Sequence, residues 1–281
     1  MQNVKQIWEE TTKVLEKVYE RREAENISYL LLEDSFFVTR ADIIAEKKSE
    51  IDRIKLEKLT TRILKNEPIQ YVTGVADFFG RKFKLASGAL IPRPETEELC
   101  ELIISENKFD GLKILDIGTG SGCIAITLSI ELNASVEAVD VSSEALSIAQ
   151  ENSNLLNGGV LFTRCNILEA ELSYHDLDIL VSNPPYIPYK DQSKMRSNVL
   201  DYEPEIALFV PDDDPIVFYN TIAKEGIRSL KPGGKLYFEI HENYGEEIKT
   251  HLKEIGYQDI KIHRDMQGKD RMISAINSAN K

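Results

Sequence analysis

The stretch from Lys113 to Leu132 most limits what this chain can fold into. A short apolar run, Lys113–Asp116, leads through Ile117 into the turn Gly118-Thr119-Gly120-Ser121-Gly122. An apolar segment, Cys123-Ile124-Ala125-Ile126, follows at once. A strand that feeds a glycine turn and then a helix is the opening half of a βαβ unit. The pattern repeats downstream. Strands are expected at Lys113–Asp116, Val136–Asp140, Val160–Cys165, Leu177–Ser182 and Lys235–Ile240, and helices at Cys123–Leu132, Ser143–Leu155, Pro215–Leu230 and Glu246–Ile255. Such alternation predicts an α/β fold whose sheet is mostly parallel and covered by helices on both faces. Asp259–Ile262 and Arg271–Ile276 read as a closing antiparallel pair.

The first part of the chain has a different texture. Val4, Ile7, Trp8, Thr11, Val14, Leu15 and Val18 recur at helical spacing, and a second stripe runs Ile51, Ile54, Leu59, Ile63. Tyr29–Leu32 and Ile43-Ile44 suggest shorter helices between them. No Gly or Pro occurs before Pro68, which suits a small helical bundle. Gly74, Gly80 and Gly88, interleaved with Phe78, Phe79 and Phe83, mark a hairpin or extended linker. The expected organisation is therefore a helical domain over 1–68, a hairpin and linker over 69–98, and the α/β domain over 99–281.

Charge narrows the partners. The 281 residues carry a formal net charge of −13. Residues 1–70 hold 13 Lys+Arg against 14 Asp+Glu, which leaves 21 against 33 for residues 71–281. A balance of −12 over the α/β region is poor support for a groove that tracks phosphates, so no stable nucleic-acid partner is expected. Cys100, Cys123 and Cys165 are widely spaced, without CxxC pairing or nearby histidines, and read as free thiols of a reducing compartment. No run approaches the roughly 20 apolar residues that span a bilayer. The start, MQNVKQIWEE, lacks an apolar h-region. Together these predict a cytoplasmic protein with no membrane partner.

The glycine turn is the first sign of chemistry. Glycines let a backbone approach a ligand closely and offer N–H groups at a helix N-terminus. A dinucleotide site would want G-x-G-x-x-G, which puts Cys123 where the last glycine belongs. The spacing here is G-x-G-x-G, so a pyrophosphate is the poorer fit. About twenty residues on, the second strand ends at Asp140, placed to accept both hydroxyls of a ribose. Ser142 and Ser143 already serve as helix caps, which frees Asp140 from that duty. An unphosphorylated ribose, this turn and the first-strand carboxylate of Asp116 together fit S-adenosyl-L-methionine. In these residues the stretch resembles the class I S-adenosylmethionine-dependent methyltransferases.

The fourth strand ends in Asn183-Pro184-Pro185-Tyr186, which the topology rule puts beside the cofactor. Two prolines fix two φ angles and remove two N–H donors, leaving neighbouring carbonyls as pure acceptors. Asn183 adds a carbonyl oxygen and Tyr186 an aromatic face. That set suits a planar –NH2 group, with its hydrogens taken by two acceptors and its plane stacked on the ring. The expected reaction is a direct in-line methyl transfer to nitrogen, with no metal and no covalent enzyme intermediate. No general base is evident, and His175, His241, His251 and His263 fall outside these motifs. Asp212-Asp213-Asp214, between Pro211 and Pro215, reads as a solvated loop.

N-P-P-Y alone does not separate an adenine-N6 methyltransferase from a protein-glutamine methyltransferase. Four further strings do: Glu67–Gly74, Leu90–Glu97, Tyr202–Leu208 and Arg264–Arg271. With them the chain closely resembles the HemK/PrmC family over essentially its whole length. The resemblance implies a seven-stranded, Rossmann-like methyltransferase domain behind a helical domain that docks the substrate. It implies N5-methylation of the glutamine in the Gly-Gly-Gln motif of peptide chain release factors, with S-adenosyl-L-homocysteine as by-product. Gly118, Thr119, Gly120, Ser121, Gly122 and Asp140 would hold the cofactor. Asn183 would touch both cofactor and substrate, while Pro184, Pro185 and Tyr186 complete the glutamine pocket. The adenine-contacting position falls on Asn166-Ile167, where many relatives carry an acid followed by an aromatic; Ile167 offers only an apolar wall. Arg93–Thr96 reads either as a linker with a helix capped near Thr96 or as a lining of the pocket entrance. A monomer is expected, and glutamine of a ribosomal protein or adenine of a nucleic acid are the alternative substrates.

Overall fold

The computed structural model describes residues 1–278, which fall into two compact units: residues 1–75 with 196–202, and residues 76–195 with 203–278.

In the first unit, helices α1 (Val4–Leu15), α2 (Arg21–Phe36), α3 (Arg40–Ile44), α4 (Arg53–Leu64) and α5 (Ile69–Thr73) surround one apolar core. Local chemistry sets their ends. Asn3 caps α1 through Lys5 N and Gln6 N, Asp52 caps α4 through Ile54 N and Lys55 N, and Thr39 with Asp42 forms a capping box on α3. Val4, Ile7, Thr11 and Leu15 are buried as the first stripe predicts, whereas Val18 lies past the helix end and is exposed. The second stripe needs correction. Ile63 is buried as expected, but Ile54 is 82% exposed, and α4 buries Leu56 and Thr60 in its place. Ile51 precedes the cap at Asp52, so it does not set the phase of the helix that follows. Tyr29–Leu32 belong to the sixteen-residue α2 rather than to a short helix. A short helix over Ser197–Tyr202 joins this unit, with Tyr202 Oη donating to Lys65 O and Asn66 Nδ2 to Ser197 Oγ.

The second unit opens with the hairpin β1 (Val75–Phe78) and β2 (Arg81–Lys84), whose turn places Phe79 and Gly80 at positive φ. Phe78 and Phe83 pack edge to face beneath it. Helix α6 (Pro94–Glu106) leads into alternating strands and helices. These are β3 (Lys113–Ile117), α7 (Cys123–Leu132), β4 (Ser135–Asp140), α8 (Ser143–Leu156), β5 (Leu161–Arg164), β6 (Leu177–Ser182), α9 (Val217–Ser229), β7 (Leu230–Glu239), α10 (Gly245–Ile255), β8 (Tyr257–Arg264) and β9 (Asp270–Asn277).

The seven strands lie in the order β8-β9-β7-β6-β3-β4-β5. All neighbours from β7 to β5 are parallel, and β9 runs antiparallel to both of its own. Two apolar layers cover the sheet, one around α6 and α7 and one around α9 and α10. Strand β7 starts five residues before the expected Lys235. Leu230 pairs with Leu177, the register then breaks, and pairing resumes at Lys235 with Ile179. Gly233 and Gly234 absorb that irregularity: Gly233 sits at φ +80, and a Cβ on Gly234 would lie 2.9 Å from Leu177 O and Lys231 O.

Strand order reverses between β3 and β6, whose ends are in register at Ile117 and Ser182. Ser182 Oγ donates to Ile117 O at 2.7 Å and ties the two together. That reversal is where an open α/β sheet leaves its crevice.

Candidate active site

A cavity of about 230 Å³ fills the crevice. Of the site residues expected from sequence, Gly118, Gly120, Asp140, Asn166, Ile167, Asn183, Pro184 and Pro185 line it. Thr119, Ser121, Gly122 and Tyr186 are not among its lining residues.

The turn owes its shape to three glycines. Gly118, Gly120 and Gly122 all have positive φ, at 75°, 56° and 81°. A Cβ on Gly118 or Gly120 would meet nothing within 4 Å, so both expose bare backbone to open space. On Gly122 it would come 3.0 Å from Ile126 Cδ1 and 3.1 Å from Ala149 Cβ, because α7 and α8 close in there. Thr119 Oγ1 donates to Asp116 Oδ2 at 2.7 Å, inside the protein. Asp116 is fully buried, and its Oδ1 has no hydrogen-bond partner among the described residues. Burial pushes this carboxyl up to about 7. Ser121 O accepts from Asn152 Nδ2, which also bonds Lys84 O; Asn152 Oδ1 in turn accepts from Lys84 N. One buried amide thus pins the turn to α8 and to the end of β2.

Asp140 spans the other side. Its Oδ2 accepts from Gly120 N at 2.8 Å and its Oδ1 from Ser142 N at 2.9 Å, while Ser142 Oγ caps α8. A carboxylate oxygen has lone-pair capacity beyond one such bond, so Asp140 can still receive hydroxyl donors. Asn166 Oδ1 accepts from Leu168 N, folding the loop after β5 over the crevice; Ile167 is buried and Cys165 half-buried on the same wall. An anionic acceptor, bare glycine backbone and an apolar wall form a donor set suited to an adenosine-like group.

Two further segments line the cavity, and each overlaps one of the specific strings, Leu90–Glu97 and Tyr202–Leu208, whose residues carry no expected role at the cavity beyond a lining of its entrance at Arg93–Thr96. Gly88-Ala89-Leu90 forms one, passing so near α8 that a Cβ on Gly88 would lie 2.8 Å from Glu144 Cβ. Pro204, Ile206 and Ala207 form the other. Arg93 Nη2 clamps both oxygens of the buried Glu203, at 2.6 and 2.8 Å, and Ile91 N also donates to that carboxylate. The specific strings around Arg93 and Glu203 therefore meet in one ion pair, between a half-buried guanidinium and a buried carboxylate.

Helix α6 begins at Pro94, earlier than the cap near Thr96 implies. Pro at N1 needs no N–H partner, and Arg93 O takes the Thr96 N–H. Thr96 is buried inside the first turn and does not line the cavity. Its Oγ1 donates to Glu239 Oε2 at 2.6 Å and accepts from Asn183 Nδ2 at 3.2 Å. Tyr186 Oη donates to Glu239 Oε1 at 3.2 Å, and its ring meets His241 edge to face with centroids 6.0 Å apart. Burial pushes Glu239 up, against the Thr96 and Tyr186 hydrogen bonds and the positive charge of Arg271, which pull it down. Burial pushes the Tyr186 phenol up as well, beside the Glu239 charge. Arg271 is held by Asp265, whose Oδ1 accepts from Gln267 N and Lys269 N. The closing string thereby supplies the cation beside Glu239.

Among the described residues no group of three or more His, Cys, Asp or Glu is placed to hold a metal, and no helix is long and apolar enough to cross a membrane. Asp212 Oδ1 accepts from Lys190 N in an exposed loop.

Known proteins agree in family. Residues 6–74 match the model described as the PrmC N-terminal domain, and residues 97–201 the one described as the methyltransferase small domain. A release factor glutamine methyltransferase of Bacteroides thetaiotaomicron is 46% identical over 266 residues, covering 93% of this chain and 95% of that protein. One from Flavobacterium psychrophilum is 42% identical, covering 92% and 94%. A crystal structure of a methyltransferase from Pyrococcus furiosus superposes with a TM-score of 0.56 at 21% identity, over 79% of this chain and 100% of that one, which speaks for the fold. With a methyltransferase crevice at the reversal of its sheet and near-complete coverage by these relatives, the chain belongs to the HemK/PrmC family of release factor glutamine methyltransferases.

Proposed function

We propose that this chain transfers a methyl group from S-adenosyl-L-methionine to the side-chain amide nitrogen (N5) of the glutamine in the Gly-Gly-Gln motif of peptide chain release factors. The observation that carries the reading is identity of 46% across almost all of a protein named for that activity, with Asn183-Pro184-Pro185 on the wall of the crevice. The bound cofactor supplies a sulfonium methyl, the electrophile for direct in-line displacement.

In this reading Gly118 and Gly120 take the cofactor against bare backbone, Asp140 accepts from its ribose, and Asn166 with Ile167 bounds its adenine. Thr119, Ser121 and Gly122 act from behind by fixing the turn. Asn183 Oδ1 and the Pro184 carbonyl accept the two hydrogens of the glutamine amide, and Tyr186 and Pro185 complete its pocket. An amide nitrogen is a poor nucleophile because its lone pair is delocalised into the carbonyl. Orientation must therefore supply much of the rate, on the order of 7–11 kcal/mol for well-placed reactants. The same two acceptors stabilise the N–H groups as positive charge develops on nitrogen. The surplus proton passes to water. The helical unit is the docking surface for the release factor, and the enzyme works as a cytoplasmic monomer without a stable nucleic-acid partner.

Incubation with labelled S-adenosyl-L-methionine and purified release factor, followed by mass mapping, tests the proposal. One added methyl on the Gly-Gly-Gln glutamine is the expected result. No transfer there, with cofactor binding intact, would overturn it and direct the search to ribosomal proteins.

A further inference from the structure

The two ends of an asparagine amide have nearly the same shape, so only hydrogen bonding decides which faces a ligand. This matters for Asn183. With Oδ1 toward the crevice it accepts a substrate N–H; with Nδ2 there it would repel one. The backbone of Asn183-Pro184-Pro185 does not settle the choice, because prolines fix φ and not the χ2 of a neighbour.

The groups behind Asn183 do settle it. Glu239 is 1% exposed and accepts on both oxygens, from Thr96 Oγ1 at 2.6 Å and Tyr186 Oη at 3.2 Å. A hydroxyl has one hydrogen, and that of Thr96 is committed to the carboxylate. Toward Asn183, 3.2 Å away, Thr96 Oγ1 can then only accept. It must be met by Nδ2, which leaves Oδ1 as the end available to the crevice. The order of donors runs one way from Asn183 through Thr96 to Glu239. Burial pushes the Glu239 carboxyl up, while the Thr96 and Tyr186 hydrogen bonds and the nearby Arg271 charge pull it down toward the charged form that anchors the chain.

We infer that Thr96 and Glu239 are positioning residues that set the polarity of the Asn183 amide, turning its oxygen to the substrate nitrogen. The inference rests on the proposed glutamine methylation and adds residues that do not line the crevice.

Thr96→Val keeps the shape and removes the hydroxyl, and Thr96→Ser restores it. With saturating S-adenosyl-L-methionine and release factor, Thr96→Val should lower kcat about tenfold or more, as loss of one charge-linked hydrogen bond would. The KM for release factor and the calorimetric Kd for cofactor should stay within about threefold, since wrong polarity spoils alignment rather than capture. Thr96→Ser should recover most of the rate. A Thr96→Val kcat within twofold of wild type would overturn the inference. So would a serine variant as impaired as the valine one, or a loss of cofactor affinity in step with kcat.

Should Thr96→Val fail to fold for want of a partner to the buried carboxylate, Glu239→Met carries the test, because an apolar side chain of similar length removes that charge. It should show the same kcat loss with cofactor affinity retained, and an unchanged kcat overturns the inference. Wild-type protein that leaves the glutamine unmethylated would instead sink the proposed function and this inference with it.

Discussion

Asn183 and Asp140 face one crevice but carry different duties, and substitution should separate them. Asn183→Ala removes an acceptor needed as charge develops on nitrogen. Turnover should fall about a hundredfold or more while cofactor affinity changes little. Asp140→Ala should weaken cofactor binding by about tenfold or more, through lost ribose bonds and through release of Gly120 N and Ser142 N. Calorimetric titration beside single-turnover rates checks both, and equal cofactor affinity for wild type and Asp140→Ala would refute that assignment. These two residues are legible in the sequence because each terminates a strand in a topology that fixes where strand ends go. The partners of Thr96, Glu203 and Glu239 are not, although Thr96 and Glu203 fall within specific strings. Each lies more than 80 residues from its partner, at 87 between Thr96 and Asn183, 110 between Arg93 and Glu203, and 143 between Thr96 and Glu239. No local spacing records such a meeting, and a buried glutamate in a strand looks like any other acid until the fold pairs it.

At the scale of elements, the α/β alternation is read almost to the residue, since each strand there is a short apolar run followed by punctuation. It blurs where packing overrides pattern: Leu230 joins β7 across a Pro-Gly-Gly stretch because Leu177 is waiting beside it. Within the glycine turn, two positions that look alike in sequence do different work. Gly120→Ala adds a methyl to open space at φ +56, and should cost about 1 kcal/mol of stability while impairing cofactor binding. Gly122→Ala meets Ile126 and Ala149 at φ +81, and should cost about 2–3 kcal/mol because strain and contact add. Urea unfolding midpoints beside cofactor titrations test the contrast. A Gly122 variant as stable as the Gly120 one would show that α7 and α8 yield more easily than their packing suggests.

For the molecule as a whole, Asp116 links stability to pH. Its carboxyl is raised to about 7 in the folded state, well above its ordinary value of 3.8. The folded state therefore prefers the proton, and that contribution is complete below about pH 4 and lost as pH climbs through 7. The full loss is on the order of 4 kcal/mol. Between pH 5 and 8 the urea midpoint of wild type should decline more than that of Asp116→Asn, and parallel curves would contradict it. The three thiols have a consequence of a different kind. Cys100 and Cys123 are buried, and burial pushes Cys123 up to about 12, so neither offers a thiolate to a reagent near neutrality. Cys165 is half-buried and opens onto the wall beside Asn166. The chain thus carries a native footprinting probe, a single reachable sulfur whose alkylation rate at pH 8 should drop as the crevice fills. Peptide mass counting of that one adduct would report occupancy without any turnover, and would let ligands be ranked on a protein that has never met its substrate.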